Sequence, residues 1–213
     1  RPVETLVIQS EGGTRRTVDA GLDRVRSLLE ATENPELVPM GIDELVVGTI
    51  CGGSDGTSGI TANPAVGRCF DRLVAEHATC IFEETGELIG CEEIMSARAA
   101  TPELATEINS AMAKAANYYA AMGYGSFAPG NAEGGLTTQE EKSMGAYSKS
   151  GSSRISGLIK PGDVPPSGGL FLLDVVPDGE PQFGFPNISD NAEIVELISS
   201  GCHLILFTTG RGS

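Results

Sequence analysis

Four short stretches gather residue types that bind anions and move protons. The first, Cys51-Gly52-Gly53-Ser54-Asp55-Gly56, runs on to Asn63-Pro64 and joins a thiol, a carboxylate and several backbone N–H groups. The second, Glu83-Glu84-Thr85-Gly86-Glu87, clusters carboxylates. The third comprises Pro129-Gly130-Asn131 and Gly134-Gly135-Leu136-Thr137-Thr138, with Lys142 just beyond; the fourth is Thr208-Thr209-Gly210-Arg211-Gly212-Ser213. Cys51 can ligate a metal, act as a nucleophile, or be an inert buried thiol. As a nucleophile it needs a base, and the only histidines are His77 and His203. The first sits at a helix end and the second opens an apolar strand, so metal ligation or a structural role ranks above a Cys–His dyad. Glu84 and Glu87 directly follow an apolar run, where charge has little structural reason to cluster. They can bind a divalent cation or serve as general base, and a solvated acidic turn is the plain alternative. Arg211 can fork onto a carboxylate or sulfonate, and Lys142 can do so as a point charge.

These stretches lie where strands should hand over to helices. Thr5–Ile8, Glu44–Ile50, Thr79–Phe82, Gly168–Val176 and His203–Phe207 are apolar runs of strand length. Val18, Leu22, Val25 and Leu28–Leu29 recur at helical spacing, which predicts a helix from Thr17 to Ala31. Asn63-Pro64 opens a helix to His77, Thr101-Pro102-Glu103 opens one to Met122, a short helix covers Thr138–Tyr147, and Ser189 or Asp190 caps one through Ile198. CGGSDGTSG is too rich in Gly and Ser for regular structure. The alternation predicts an α/β fold: a mainly parallel sheet with helices packed on it, and a Gly/Ser-rich excursion around residues 128–168. A turn explains any one of the four loops. Four loops at strand exits are the pattern of a ligand site at the carboxyl edge of a parallel sheet, and on that geometry they should line one cleft. The final strand and its Gly-rich loop form half a βα unit, so residues 1–213 are expected to be a single α/β domain within a longer polypeptide.

Lys and Arg number 14 against 29 Asp and Glu, a formal net charge of −15 over 213 residues. Such a field repels phosphate backbones and argues against a nucleic-acid partner. It also repels a small acidic substrate, which would need a metal, an Arg or Lys, or a nest of N–H groups to be held. No apolar run approaches the roughly 20 residues that span a bilayer, so no membrane partner is expected. The five cysteines form no paired framework, which fits a reduced, cytoplasmic setting. GxxxxGK[ST] is absent, and no GxGxxG follows a strand. No CxxC is present either, so an iron–sulfur cluster on Cys51 with Cys80 or Cys91 is the weaker metal reading.

CGGSDGTSGITANPAVG, EETGELIGCEE, PGNAEGGLTTQEEKSMGA and FTTGRGS together resemble the altronate and galactarate dehydratase family in its large C-terminal part. With the opening IQSEGGT, the resemblance covers nearly the whole chain. The stretch LLDVVPDGEPQFGFPNISDNAEI resembles one branch more closely, that of the large subunit of (2R)-sulfolactate sulfo-lyase. The resemblance implies a lyase that eliminates a group from C3 of an anionic 2-hydroxy acid: (2R)-3-sulfolactate to pyruvate and sulfite, with altronate or galactarate dehydration as the rival. A non-catalytic scaffold or subunit-interface domain is the alternative of another class. The resemblance further implies Fe2+ or another divalent cation such as Mn2+, an N-terminal domain or small partner subunit, and a homo-oligomer. Matching motifs carry over Cys51, Asp55, Asn63, Glu84, Glu87, Asn131, Thr137, Thr138, Lys142 and Arg211. Within that set, Glu84, Glu87 and Lys142 take catalytic roles and Cys51 and Glu84 hold the metal. Gly52, Gly53, Ser54, Asp55, Asn63, Asn131, Thr137, Thr138, Thr208, Thr209 and Arg211 surround the substrate. The family's histidine-bearing segment lies outside this stretch, so residues 1–213 alone should be inactive.

Overall fold

The computed structural model describes residues 3–33, 36–52, 55–83, 85–121, 123, 131–180, 190–210 and 212. By its internal contacts the chain divides into Arg1–Pro39 and Met40–Ser213. In the first unit the strand expected at Thr5–Ile8 does not form. Residues 3–7 have no regular structure, and a short helix α1 (Ile8–Glu11) follows. This four-residue apolar run has no ladder partner among the described residues, so local bonds take over: Ser10 and Glu11 both donate their backbone N–H to Val7 O. Gly12 and Gly13 turn the chain at φ 84° and 110°, a region that favours glycine, and helix α2 (Thr14–Thr32) carries the expected Val18/Leu22/Val25/Leu29 stripe.

The second unit is the α/β fold. In chain order it comprises β1 (Val46–Cys51), α3 (Gly56–Ile60), α4 (Ala62–Ala75), β2 (Thr79–Phe82), a 3-10 turn (Thr85–Leu88), α5 (Glu92–Ser96) and α6 (Pro102–Ala121). Then come α7 (Gln139–Lys149), β3 (Ile155–Ile159), β4 (Gly169–Leu173), α8 (Asp190–Ser199) and β5 (Leu204–Thr208). The five strands form one sheet in the order β3-β4-β2-β1-β5, and every pairing is parallel. β1 is therefore flanked by β2 and β5, and Cys51 lies in register with Thr208 at the carboxyl edge.

Side-chain alternation along the strands divides the core. Cys80, Phe82, Leu170 and Leu172 point to one face, where Phe70 of α4, Met95 of α5, and Leu104, Ile108 and Met112 of α6 pack on them. Ile50, Ile81, Phe171 and Leu173 point to the other, against Leu197 of α8. Each of these large side chains contributes roughly 1.5–3 kcal/mol by leaving water. Two departures from the sequence reading matter. The loop after β1 is not irregular throughout: Asp55 caps α3, its Oδ1 accepting from Thr57 N and Ser58 N at 2.9 Å each. The excursion around 128–168 also supplies an edge strand, β3, where Ile155, Leu158 and Ile159 find the open edge of β4 despite the intervening Ser156 and Gly157.

Gly48 shows how closely α8 lies on the sheet. A Cβ there would come 2.9 Å from Cys202 Sγ and 3.0 Å from Leu197 Cδ2. We expect Gly48→Val to destabilise the whole protein by about 1–3 kcal/mol through overpacking, read as a lower thermal midpoint.

Candidate functional site

The loops leaving β1, β2 and β5 meet the start of α7 at the carboxyl edge of the sheet. Cys51 ends β1, and its thiol donates to Glu87 Oε2 at 3.2 Å. Glu87 Oε1 pairs with Lys142 Nζ at 2.6 Å. Asp55 Oδ2 accepts from Gly210 N at 2.7 Å, and Gly52 N donates to Thr208 O at 2.8 Å, which ties the β1 and β5 loops together. A Cβ on Gly52 would lie 2.6 Å from the Phe207 ring, so any larger residue would displace that ring. A Cβ on Gly56 would come 3.5 Å from Gly135 O, so the third stretch closes over the first. Of the four loops expected to line one cleft, the first, second and third contribute wall residues, while the fourth is bonded to the first through Thr208 and Gly210 with no described residue in the wall.

Between them lies a cleft of about 240 Å³, walled by Cys51, Asp55, Asn63, Glu87, Lys142 and Lys149 among others. Asn63, in the first turn of α4, donates Nδ2 to Gly145 O of α7 at 3.0 Å. α3 and α7 pack closely here, and Gly59 and Gly145 make that approach possible. Lys149, missed in the sequence, is 2% exposed. Its signal was available: it follows Lys142 by seven residues, two helical turns along the same face of α7. Burial would raise the Glu87 carboxyl, but the charges of Lys142 and Lys149, with hydrogen bonds from Lys142 and Cys51, outweigh it and hold the group down to about 2. A depressed folded value means that this group's contribution to stability is present above about pH 4.5 and lost as the pH falls towards 2. We expect Glu87→Gln to flatten the fall of the thermal midpoint across that window.

The other expected residues divide into several groups. Gly53, Ser54, Glu84 and Arg211 lie outside the described residues. Thr137 and Thr138 sit at the cap of α7 rather than in the cleft wall. Thr137 donates N and Oγ1 to Glu141 Oε2 at 2.7 and 2.8 Å, while Thr138 Oγ1 accepts from Glu141 N at 3.2 Å. Thr208 Oγ1 donates to Ile50 O at 3.4 Å, and Thr209 Oγ1 to Gly212 O at 2.9 Å. Asn131 is buried, its carbonyl accepting from Gly134 N and Leu136 N, and it does not wall the cleft. A cavity of about 730 Å³ lies along α6 and residues 176–180, with none of the expected residues in its wall. Its lysine, Lys114, is paired with Asp174 and Asp178. Chemistry, not size, therefore identifies the smaller cleft as the site.

A divalent cation needs more donors than this cleft shows. Among the described residues no three His, Cys, Asp or Glu side chains gather closely enough to hold one. Cys51 and Glu87 stand side by side, but Lys142 already neutralises Glu87. The described residues do not fit a metal site by themselves. No described helix is long and apolar enough to cross a membrane.

The family model described as D-galactarate/Altronate dehydratase, C-terminal, matches residues 42–213. Altronate dehydratase of Bacillus subtilis is 35% identical over 92% of the chain, and galactarate dehydratase (L-threo-forming) of Escherichia coli is 37% identical over 80%. The (2R)-sulfolactate sulfo-lyase subunit beta of Chromohalobacter salexigens is 32% identical over the full chain. The chain spans 38%, 31% and 53% of the lengths of these three relatives, respectively. On this match the chain belongs to the D-galactarate/altronate dehydratase family of lyases, in its C-terminal domain.

Proposed function

We propose that the longer protein containing this chain eliminates a group from C3 of a 2-hydroxy acid, and that the cleft at Cys51, Glu87, Lys142 and Lys149 holds the substrate. One observation carries this reading: two lysines, Lys142 and Lys149, stand by the Glu87 carboxylate in a small cleft of a chain that is otherwise strongly acidic. The other carboxylates of the wall, Asp55 and Glu141, accept from backbone N–H groups, and the two ammoniums are the local remedy that an anionic substrate requires. A volume of about 240 Å³ suits a small metabolite.

The carboxylate of the substrate meets the lysine charges, which stabilise the extra negative charge that develops when C2 loses its proton. Glu87 is a poor acceptor for that proton, because a carboxylate held at about 2 is a weak base. Its role is to position Lys142 and the Cys51 thiol. Proton abstraction falls to Glu84, three residues earlier in the sequence. The C2–H electrons form the C2–C3 double bond, the C3 substituent leaves with its bonding pair, and the enol becomes a 2-oxo acid. The divalent cation implied by the resemblance, Fe2+ or Mn2+, would need donors beyond Cys51 and Glu87, and no step here depends on it.

The substrate we assign is (2R)-3-sulfolactate, giving pyruvate and sulfite. The support is the PDGEPQFGFPNISDN stretch and a match to a sulfo-lyase beta subunit over the whole chain. Sulfite leaves with little need of protonation, which suits a cleft of lysines and a weak carboxylate. Altronate or galactarate dehydration is the second reading, favoured by the slightly higher identities to those dehydratases. The test is to assay the full-length protein, with any partner subunit and after metal analysis, on sulfolactate, altronate and galactarate. Sulfite release is the expected result. Water elimination from a sugar acid without sulfite release would establish the second reading, and no elimination from any of the three would overturn both.

A further inference from the structure

Asn63 holds one polar atom that the described residues leave unanswered. The side chain is 5% exposed, and it walls the cleft together with Lys142 and Lys149. Its amide orientation follows from its surroundings. Gly145 O can only accept, so the atom 3.0 Å from it must be the donor Nδ2. That leaves Oδ1 on the other side, buried and with no donor among the described residues. A buried carbonyl oxygen without a partner is costly to keep, and the fold retains it. α4 and α7 hold the side chain from both sides: Asn63 belongs to the first turn of one helix and is bonded to the backbone of the other. Rotating the amide to satisfy Oδ1 would break the bond to Gly145.

The unmet group is an acceptor, so its partner must be a donor, and the partner's negative charge is what the neighbouring Lys142 and Lys149 would hold on the proposed reading. A carboxylate alone has no donor to offer at neutral pH. A hydroxyl beside a carboxylate does. We infer that Asn63 is the specificity-determining residue for the hydroxyl of the substrate: Oδ1 accepts from the 2-hydroxyl while the lysines hold the acid. This rests on the hydroxy-acid reading above and deepens it by assigning one residue to one substituent. Asn63 touches substrate without exchanging a proton with C2, so it acts on selection and placement.

The test measures binding to the full-length protein by ligand-observed NMR, with (R)-malate and succinate as probes. The two acids differ by the 2-hydroxyl, and neither carries a leaving group on C3. The wild type should prefer malate by about tenfold or more, because succinate leaves Oδ1 without its donor. Asn63→Leu keeps the size of the side chain and removes the acceptor, so the preference should fall to within about twofold while succinate binding persists. Asn63→Asp restores an acceptor, and its charge weakens both dianions alike, so the ratio should stay close to that of the wild type. Far-UV circular dichroism confirms that each variant is folded, and if Asn63→Leu is not, Asn63→Ala takes its place. A malate preference that survives loss of the acceptor would overturn the role of Asn63 and leave the hydroxy-acid reading standing. Failure of the wild type to bind either acid would overturn that reading, and the role of Asn63 with it.

Discussion

Replacing Lys142 with Met in the full-length enzyme should lower turnover by a factor of about 100 or more and leave the fold intact, because the lysine supplies charge where the reaction develops it. Lys142 is 10% exposed on the side chain and reaches out from α7 to the Glu87 carboxylate, 2.6 Å away. Methionine keeps the stem and removes the charge, and Lys149 still faces the carboxylate. Substrate binding should weaken and the chemical step should slow further, since the developing charge is larger in the transition state than in the ground state. A kcat that falls with KM unchanged would assign Lys142 to the transition state alone, whereas a raised KM with kcat unchanged would make it a binding group only. Normal values of both would remove Lys142 from the site. Lys142→Arg should not restore activity, because the planar fork cannot replace a point charge in a closely packed cleft.

Much of this site was legible in the sequence because its residues sit where chain geometry forces them. Cys51, Asp55 and Glu87 follow strands in a βα pattern, and a parallel sheet brings such loops to one edge whatever their separation along the chain. The contact between Asp55 and Gly210, 155 residues apart, is the direct outcome. What could not be read was which polar groups the backbone would claim. Thr137 and Thr138 look like substrate ligands beside a Gly-rich loop, yet a helix start has unbonded N–H groups and α7 uses both residues in its cap. Lys149 was hidden by the opposite error: among Ser148, Ser150, Ser152 and Ser153 it reads as a surface lysine, and only its helical phase with Lys142 shows otherwise. In the fold, Thr5–Ile8 was misread because β-branched residues favour a strand only when a neighbouring strand exists. β3 was overlooked because its three large apolar residues are split by Ser and Gly, and the edge of β4, not local preference, makes it a strand.

Replacing Asp174 with Ala should destabilise the protein by about 3 kcal/mol, as removing one partner from a buried ion pair commonly does. Asp174 is the residue immediately after β4, and its side chain is 2% exposed. Oδ2 accepts from Lys114 Nζ at 2.6 Å and from Lys160 Nζ at 2.8 Å, while Oδ1 accepts from Val176 N at 3.2 Å and from Thr85 Oγ1 at 3.4 Å. The carboxylate thus joins α6, the segment after β3 and the turn that carries Glu87. Without it the two lysines face each other with Asp178 alone between them, and Asp178 is largely exposed, so solvent screens its charge. Burial would lower the Lys160 ammonium, but hydrogen bonds to Asp174 and Asp178 prevail and raise it. A raised folded value gives stability that is fully present below about pH 10.5 and lost as the pH climbs through the raised value. Asp174→Asn keeps the shape and removes the charge. It should lower the thermal midpoint at neutral pH and shrink the further loss seen on going to alkaline pH. Amide exchange should accelerate in β4 and, through Thr85, across Thr85–Leu88, loosening the turn that positions Glu87 against Lys142. An Asp174→Asn protein with an unchanged midpoint and unchanged exchange in that turn would show that the cluster is a surface ornament with no part in holding the carboxyl edge of the sheet.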